Sequence, residues 1–128
     1  MTIVEPGRTA AELVGRMLGR RRYRYSSEAD LQTGLAQALG AIGIGFTREF
    51  RLGPRDRIDF LLGIALPAIG IEVKIDHPLA AFTRQLHRYA AYNLTALIVV
   101  VGRMRLADLP SDISGMPIVV VNLAESGL

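Results

Sequence analysis

Two stretches constrain this chain more than any other: "TALIVVVG", from Thr95, and "IVVVNL", from Ile118 to Leu123. Neither alternates apolar with polar residues. A strand with one wet face alternates, whereas a near-continuous β-branched run suits a strand covered on both faces. Covering both faces takes helices on each side of a sheet, so a layered α/β fold is expected, with strands at Thr95 to Val101 and Ile118 to Leu123. Apolar runs such as Ala96 to Val101 are far too short to span a bilayer. The opening "MTIVEPGRTA" lacks the apolar core of a signal peptide, so no membrane partner is expected.

The remaining elements follow from periodicity. Thr9 to Leu18 has helix-like spacing of Leu13, Met17 and Leu18. Ser27 reads as a helix N-cap with Asp30 as a capping-box-like partner. That helix runs to about Leu39 or Ile42 on the stripe Leu31, Leu35, Ala38, Leu39 and Ile42. "GAIGIGF" breaks it. Strands are expected at Phe46 to Leu52, Arg57 to Leu62 and Ile69 to Ile75, joined by "GPRD" and "GIALPAIG" as an antiparallel meander. After His77-Pro78 a helix is expected from Leu79 to Tyr92, and "DLPSDISGMP" reads as a loop. The whole is one domain of 128 residues, an α/β sandwich with a central mixed sheet flanked by helices.

The chain has no cysteine, which excludes disulfides and cysteine-ligated zinc or iron–sulfur sites and is compatible with a reducing cytoplasm, its expected location. The net charge of +3 is a mild bias toward anionic partners. Its distribution says more. Arg16, Arg20, Arg21, Arg22 and Arg24 crowd a basic helix and arm at about residues 9–25. "GRRRYRYSS" reads either as a solvated charge run or as a phosphate-contacting arm, since arginine forks match phosphate oxygens and tyrosines stack on bases.

The chemistry centres on "IGIEVKI", Ile69 to Ile75. Lys74 is the single lysine; the other fourteen basic residues are arginine. In this strand Glu72 and Lys74 share the face opposite Ile71, Val73 and Ile75. In "RIDFLL" the same alternation puts Ile58, Phe60 and Leu62 on one face and Arg57 and Asp59 on the other. If the sheet brings those faces together, Asp59, Glu72 and Lys74 converge. Two close carboxylates repel, and a hard divalent cation such as Mg²⁺ relieves that repulsion. A lysine beside them supplies a compact charge and can exchange a proton, which arginine hardly can. The bland reading is a Glu–Lys pair on a solvated sheet face.

In "FTRQLHRYAAY", Phe82, Leu86, Tyr89 and Ala90 form an apolar face. Gln85 and Tyr89 stack four residues apart, and Arg84 and Arg88 border them. Glu28 projects from the edge of the core-facing stripe of its helix, while Asp30 projects the other way.

Taken together, the chain resembles the PD-(D/E)XK nuclease superfamily, the restriction-endonuclease-like fold with an αβββαβ core. Glu28 resembles the family's helical acid, Asp59 in "RIDF" its central aspartate, and Glu72 and Lys74 in "IEVK" its E-x-K pair. Gln85 and Tyr89 in "QLHRY" are similar to the Q-x-x-x-Y motif of RecB-type nucleases. The likeness covers Glu28 to about Val101. Ile58 stands where the family often has proline, and no target-recognition domain is evident. The resemblance implies a Mg²⁺-dependent DNA nuclease, with Mn²⁺ able to substitute. Asp59 and Glu72 would hold the metal, helped by the Val73 carbonyl, with Glu28 as a direct or water-mediated ligand. Lys74 would act on the attacking water, Gln85 would steady the site, and Tyr89 would pack or touch substrate. Arg20, Arg21, Arg22, Arg24, Arg84 and Arg88 would contact phosphates, and a homodimer is expected because cutting two strands takes two sites. The alternative is a non-catalytic nucleic-acid- or protein-binding module that keeps the fold.

Overall fold

The computed structural model describes residues 6–76, 78–103 and 109–123. Its elements are α1 (Pro6–Gly19), α2 (Glu28–Ile42), β1 (Phe46–Arg51), β2 (Arg57–Leu62), β3 (Ala68–Ile75), α3 (Leu79–Tyr89), β4 (Leu94–Gly102), β5 (Asp112–Ile113) and β6 (Met116–Asn122). The six strands lie in the order β1-β2-β3-β4-β6-β5. β1, β2 and β3 form the expected antiparallel meander, β4 runs parallel to β3, and β6 runs parallel to β4.

Of the two valine-rich runs, β4 lies in the middle of this sheet and β6 follows it toward the edge, bordered at its start by the short β5; both are covered on their two faces. Ala96, Ile98 and Val100 face one core with α1 and α2, while Leu97, Val99 and Val101 face a second core with α3. Leu31, Leu35 and Leu39 of α2 are fully buried, each worth about 2 kcal/mol of transfer free energy. On α1, Gly15 and Gly19 leave room for Val119 and Val121 of β6, so helix and strand lie close together. No described helix is long and apolar enough to cross a membrane.

Ser27 caps α2 through its Oγ, which accepts a hydrogen bond from the Asp30 amide at 3.1 Å. The Asp30 carboxylate departs from a capping box. It accepts from the Ser26 amide at 3.0 Å, where the Ser26 hydroxyl adds a second bond at 2.8 Å. These bonds hold the Asp30 carboxyl below its usual range.

Three further details differ from expectation. Helix α3 ends at Tyr89, not Tyr92, because Tyr92 leaves the helix to donate its hydroxyl to Asp56 at 2.9 Å. The stretch read as a loop contains β5 and the start of β6, joined through Ser114 (φ 48°) and Gly115 (φ 84°). Two successive positive φ values are the signature of a tight hairpin turn; Asp108, at the head of that stretch, lies outside the described residues, as does His77. The third difference concerns β2. Ile58 does not share a face with Phe60 and Leu62: it packs into the α3-side core, and they pack on the α1/α2 side. The same switch occurs on β1, where Phe46 faces α2 and Phe50 faces α3. It coincides with Glu49, at φ 52°, which drops out of the β1–β2 pairing opposite Asp59. A local kink therefore rolls the hairpin at the level of Asp59.

Candidate active site

That kink opens the sheet between β2 and β3. The two strands pair only at Phe60–Ile71 and Leu61–Gly70. Beyond that point side chains replace the backbone ladder. The Asp59 amide donates to Glu72 Oε1 at 2.9 Å, and the Val73 amide donates to Asp59 Oδ2 at 2.8 Å. Each carboxylate thus satisfies the main chain of the opposite strand, as buried amides require. Lys74 Nζ lies 3.5 Å from Glu72 Oε2 and 5.3 Å from the centre of the Phe82 ring. The side chains of Glu72 and Lys74 are 3% and 9% exposed. This is no solvated pair on an open sheet face.

The electrostatics follow from burial. Loss of water and then the neighbouring Asp59 charge push the Glu72 carboxyl up to about 8, with Lys74 pulling the other way. Asp59 is also raised, by burial first and then by the Glu28 and Glu49 carboxylates, against the opposing Val73 amide and Lys74. Glu28, at the first turn of α2, accepts a hydrogen bond from the Ile75 amide at 3.1 Å, one residue beyond Lys74. The helix start and the end of β3 are therefore tied together at the site.

On α3, Gln85 Nε2 donates to the Tyr89 hydroxyl at 2.8 Å, and that hydroxyl donates to the Arg57 carbonyl at 3.0 Å. The Gln85–Tyr89 pair thus braces the start of β2, two residues before Asp59. Burial raises the Tyr89 phenol, helped by the Glu72 and Asp59 charges. Arg84 is exposed. Arg88 is engaged: its Nε lies 3.0 Å from Asp56 Oδ1, which draws it toward the β1–β2 turn.

The arginine arm lies elsewhere. Arg21, Arg22 and Arg24 line a cleft of about 650 Å³ against Thr33, Gly34 and Gln37 of α2. Tyr23 pins the arm, its hydroxyl donating to the Leu18 carbonyl at 2.7 Å and its ring lying on Gly34. Burial pushes that phenol up to about 12. Arg20 is exposed at the head of the same segment.

The sheet thus brings Asp59, Glu72 and Lys74 together and sets Glu28 beside them. Among the described residues no three His, Cys, Asp or Glu side chains form a group spaced for a metal ion. The donor chemistry nonetheless suits a hard divalent cation. Two buried carboxylates at raised pKa pay a repulsion that a cation removes, and Asp59 Oδ1 makes no hydrogen bond to a described residue. Sequence reasoning missed Asp56, a buried carboxylate in the β1–β2 turn, and Arg103, which lies over Tyr25 at the end of β4. An arginine just past the carboxyl end of a buried parallel strand was the available signal for Arg103, because ligands of open α/β sheets collect there.

Compared with family models, curated proteins and solved structures, the chain matches none.

Proposed function

We propose that the chain is a metal-dependent DNA nuclease of the PD-(D/E)XK type, with its site at the parting of β2 and β3. The observation that carries this reading is the pair of hydrogen bonds from the Asp59 amide to Glu72 and from the Val73 amide to Asp59, with Lys74 Nζ 3.5 Å from Glu72 Oε2, all at one break in the sheet. A stability device would not collect two buried acids and the only lysine where backbone pairing stops. The element order supports it too: helix, three antiparallel strands, helix, then a strand parallel to β3 agrees with a restriction-endonuclease-like core.

In this reading Asp59 and Glu72 would hold Mg²⁺ or Mn²⁺, helped by the Val73 carbonyl, with Glu28 as a direct or water-mediated ligand. The ion, when bound, supplies positive charge to the phosphate and acidity to a water. Lys74 orients the attacking water and stabilises charge on the phosphate. Gln85 and Tyr89 keep β2 in place through the Arg57 carbonyl. Arg20, Arg21, Arg22, Arg24 and Arg84 contact flanking phosphates, a positioning role without sequence readout. Arg88 contributes only if it leaves Asp56. Cutting two strands takes two such sites, so the proposal includes a homodimer; a concentration-independent monomer mass by light scattering would count against that part.

A cleavage panel of duplex, branched and single-stranded DNA with Mg²⁺ or Mn²⁺ tests the reading. Wild-type protein is expected to cut at least one of these, and Glu72→Ala and Lys74→Ala are expected to abolish cutting while circular dichroism stays unchanged. Wild-type protein that cuts none of them with either metal sinks the proposal.

A further inference from the structure

Arg103 is the first residue beyond β4 and holds a left-handed backbone, φ 62°, which side chains rarely adopt. Its guanidinium carbon lies 5.8 Å from the centre of the Tyr25 ring, and its Nη2 donates to the Tyr25 carbonyl at 3.4 Å. Tyr25 is seated against the backbone of Gly102: a Cβ at that glycine would lie 2.7 Å from Tyr25 Cε2. Ring, carbonyl and glycine thus form a seat for one exposed guanidinium. No carboxylate of the described residues pairs with Arg103.

The seat has a definite place in the fold. Gly102 is the register partner of Ile75, the residue that follows Lys74 and donates its amide to Glu28. Arg103 therefore stands at the carboxyl edge of the sheet beside the start of α2. It also meets the end of the basic arm, at Tyr25. Arg21, Arg22 and Arg24 precede Tyr25 in the chain and line their cleft with one acid, Asp30, whose carboxylate is engaged by Ser26.

We propose that Arg103, seated on Tyr25, binds a phosphate of the DNA strand that passes from the basic arm to the β2–β3 site, and that Tyr25 is the residue that positions it. This rests on the nuclease reading for its ligand but not for its test. A guanidinium stacked on an aromatic ring loses little freedom and keeps its remaining N–H groups for phosphate oxygens. Because a phosphate contact positions without reading sequence, its loss weakens all DNA alike.

The test measures binding of a fluorescent DNA oligonucleotide to the full chain in EDTA across a salt series, then cleavage with Mg²⁺. Arg103→Ala and Arg103→Gln are expected to weaken binding about 5- to 10-fold and to lower the salt slope by about one. KM is expected to rise with kcat held within about threefold. Tyr25→Ala should behave like Arg103→Ala, and Tyr25→Phe like wild type, because it keeps ring and carbonyl; a merely structural Tyr25 would not move the salt slope. Wild-type protein that cuts DNA while Arg103→Ala and Arg103→Gln keep its affinity and slope overturns this inference alone. Binding that depends on Arg103 without any cleavage upholds the inference and removes the nuclease reading. Wild-type protein that neither binds nor cuts DNA overturns both.

Discussion

Lys74 shows why one residue type was chosen against the habit of the chain. Its Nζ sits between Glu72 Oε2 and the Phe82 ring, in a side-chain environment only 9% exposed. The space takes a compact ammonium on an unbranched stem. A guanidinium is wider and carries five N–H donors in a fixed planar fork. On the nuclease reading, Lys74→Arg is therefore expected to keep positive charge at the site yet cut at least about 100-fold more slowly. Overpacking should cost about 1–3 kcal/mol of stability. Single-turnover cleavage beside thermal unfolding measures both effects. An arginine variant that cuts at the wild-type rate would reduce Lys74 to a point charge. Asp56 is a different kind of buried acid. It pairs with Arg88 and Tyr92 and is the hydrogen-bonded cause of the raised Tyr92 phenol, so its charge is spent on architecture.

At the scale of elements, Asp56 fastens the β1–β2 turn to the end of α3. Its backbone carbonyl accepts from the Leu52 and Gly53 amides at 2.8 and 3.2 Å, while its side chain takes Arg88 and Tyr92. Asp56→Ala should leave the turn bonds but release α3, at a cost of about 1–3 kcal/mol. The Arg88 end counts for little of this, because that side chain is 55% exposed. Chemical denaturation measures the loss, and an unchanged midpoint would mean that the apolar face of α3 holds it without help. Most elements were legible in the sequence because their periodicity is strong: the β-branched runs became β4 and β6, and Leu31, Leu35 and Leu39 faced one core. The convergence of Asp59, Glu72 and Lys74 was legible because charge in an apolar strand is expensive and therefore informative. What stayed hidden was not periodic. β5 is two residues long, too short for a pattern, although Ser114-Gly115 between Ile113 and Met116 is a hairpin signal. The face switch at Ile58 arises from a kink at Glu49 and Asp59, and strict alternation assumes a strand without one. Asp56 and Arg103 are made significant by partners at distant positions in the chain, Arg88 and Tyr92 for one and Tyr25 for the other.

At the scale of the whole molecule, the buried Asp59–Glu72 pair is a weakness in the fold when no cation is bound. Glu72 titrates near 4.5 when unfolded and at about 8 when folded, because burial and Asp59 disfavour its charge. The folded chain holds that proton more tightly than the unfolded one. Its stabilising effect is therefore fully present below about pH 4.5 and is lost as pH rises toward 8. The metal-free protein should weaken across that window, with a steepest slope on the order of 1 kcal/mol per pH unit. A cation held by Asp59 and Glu72 acts in the opposite sense, since it binds the ionised form that burial disfavours. Mg²⁺ should raise Tm more at about pH 8.5 than at about pH 6, and at 100 times its Kd it should add about 2.7 kcal/mol. Such a gain is worth about 3–5 °C per kcal/mol for a domain of this size. Asp59→Asn separates these effects within one fold. It keeps an acceptor for the Val73 amide and removes the charge that repels Glu72. The variant should be more stable than wild type in EDTA at about pH 8.5, by about 1 kcal/mol, and should gain little from Mg²⁺. Differential scanning calorimetry at the two pH values, with and without the ion, reads all four quantities. A wild-type Tm that ignores Mg²⁺ at both pH values would show that Asp59 and Glu72 do not form a cation site, and an Asp59→Asn protein less stable than wild type in EDTA would show that the hydrogen bonds at the β2–β3 break outweigh the repulsion.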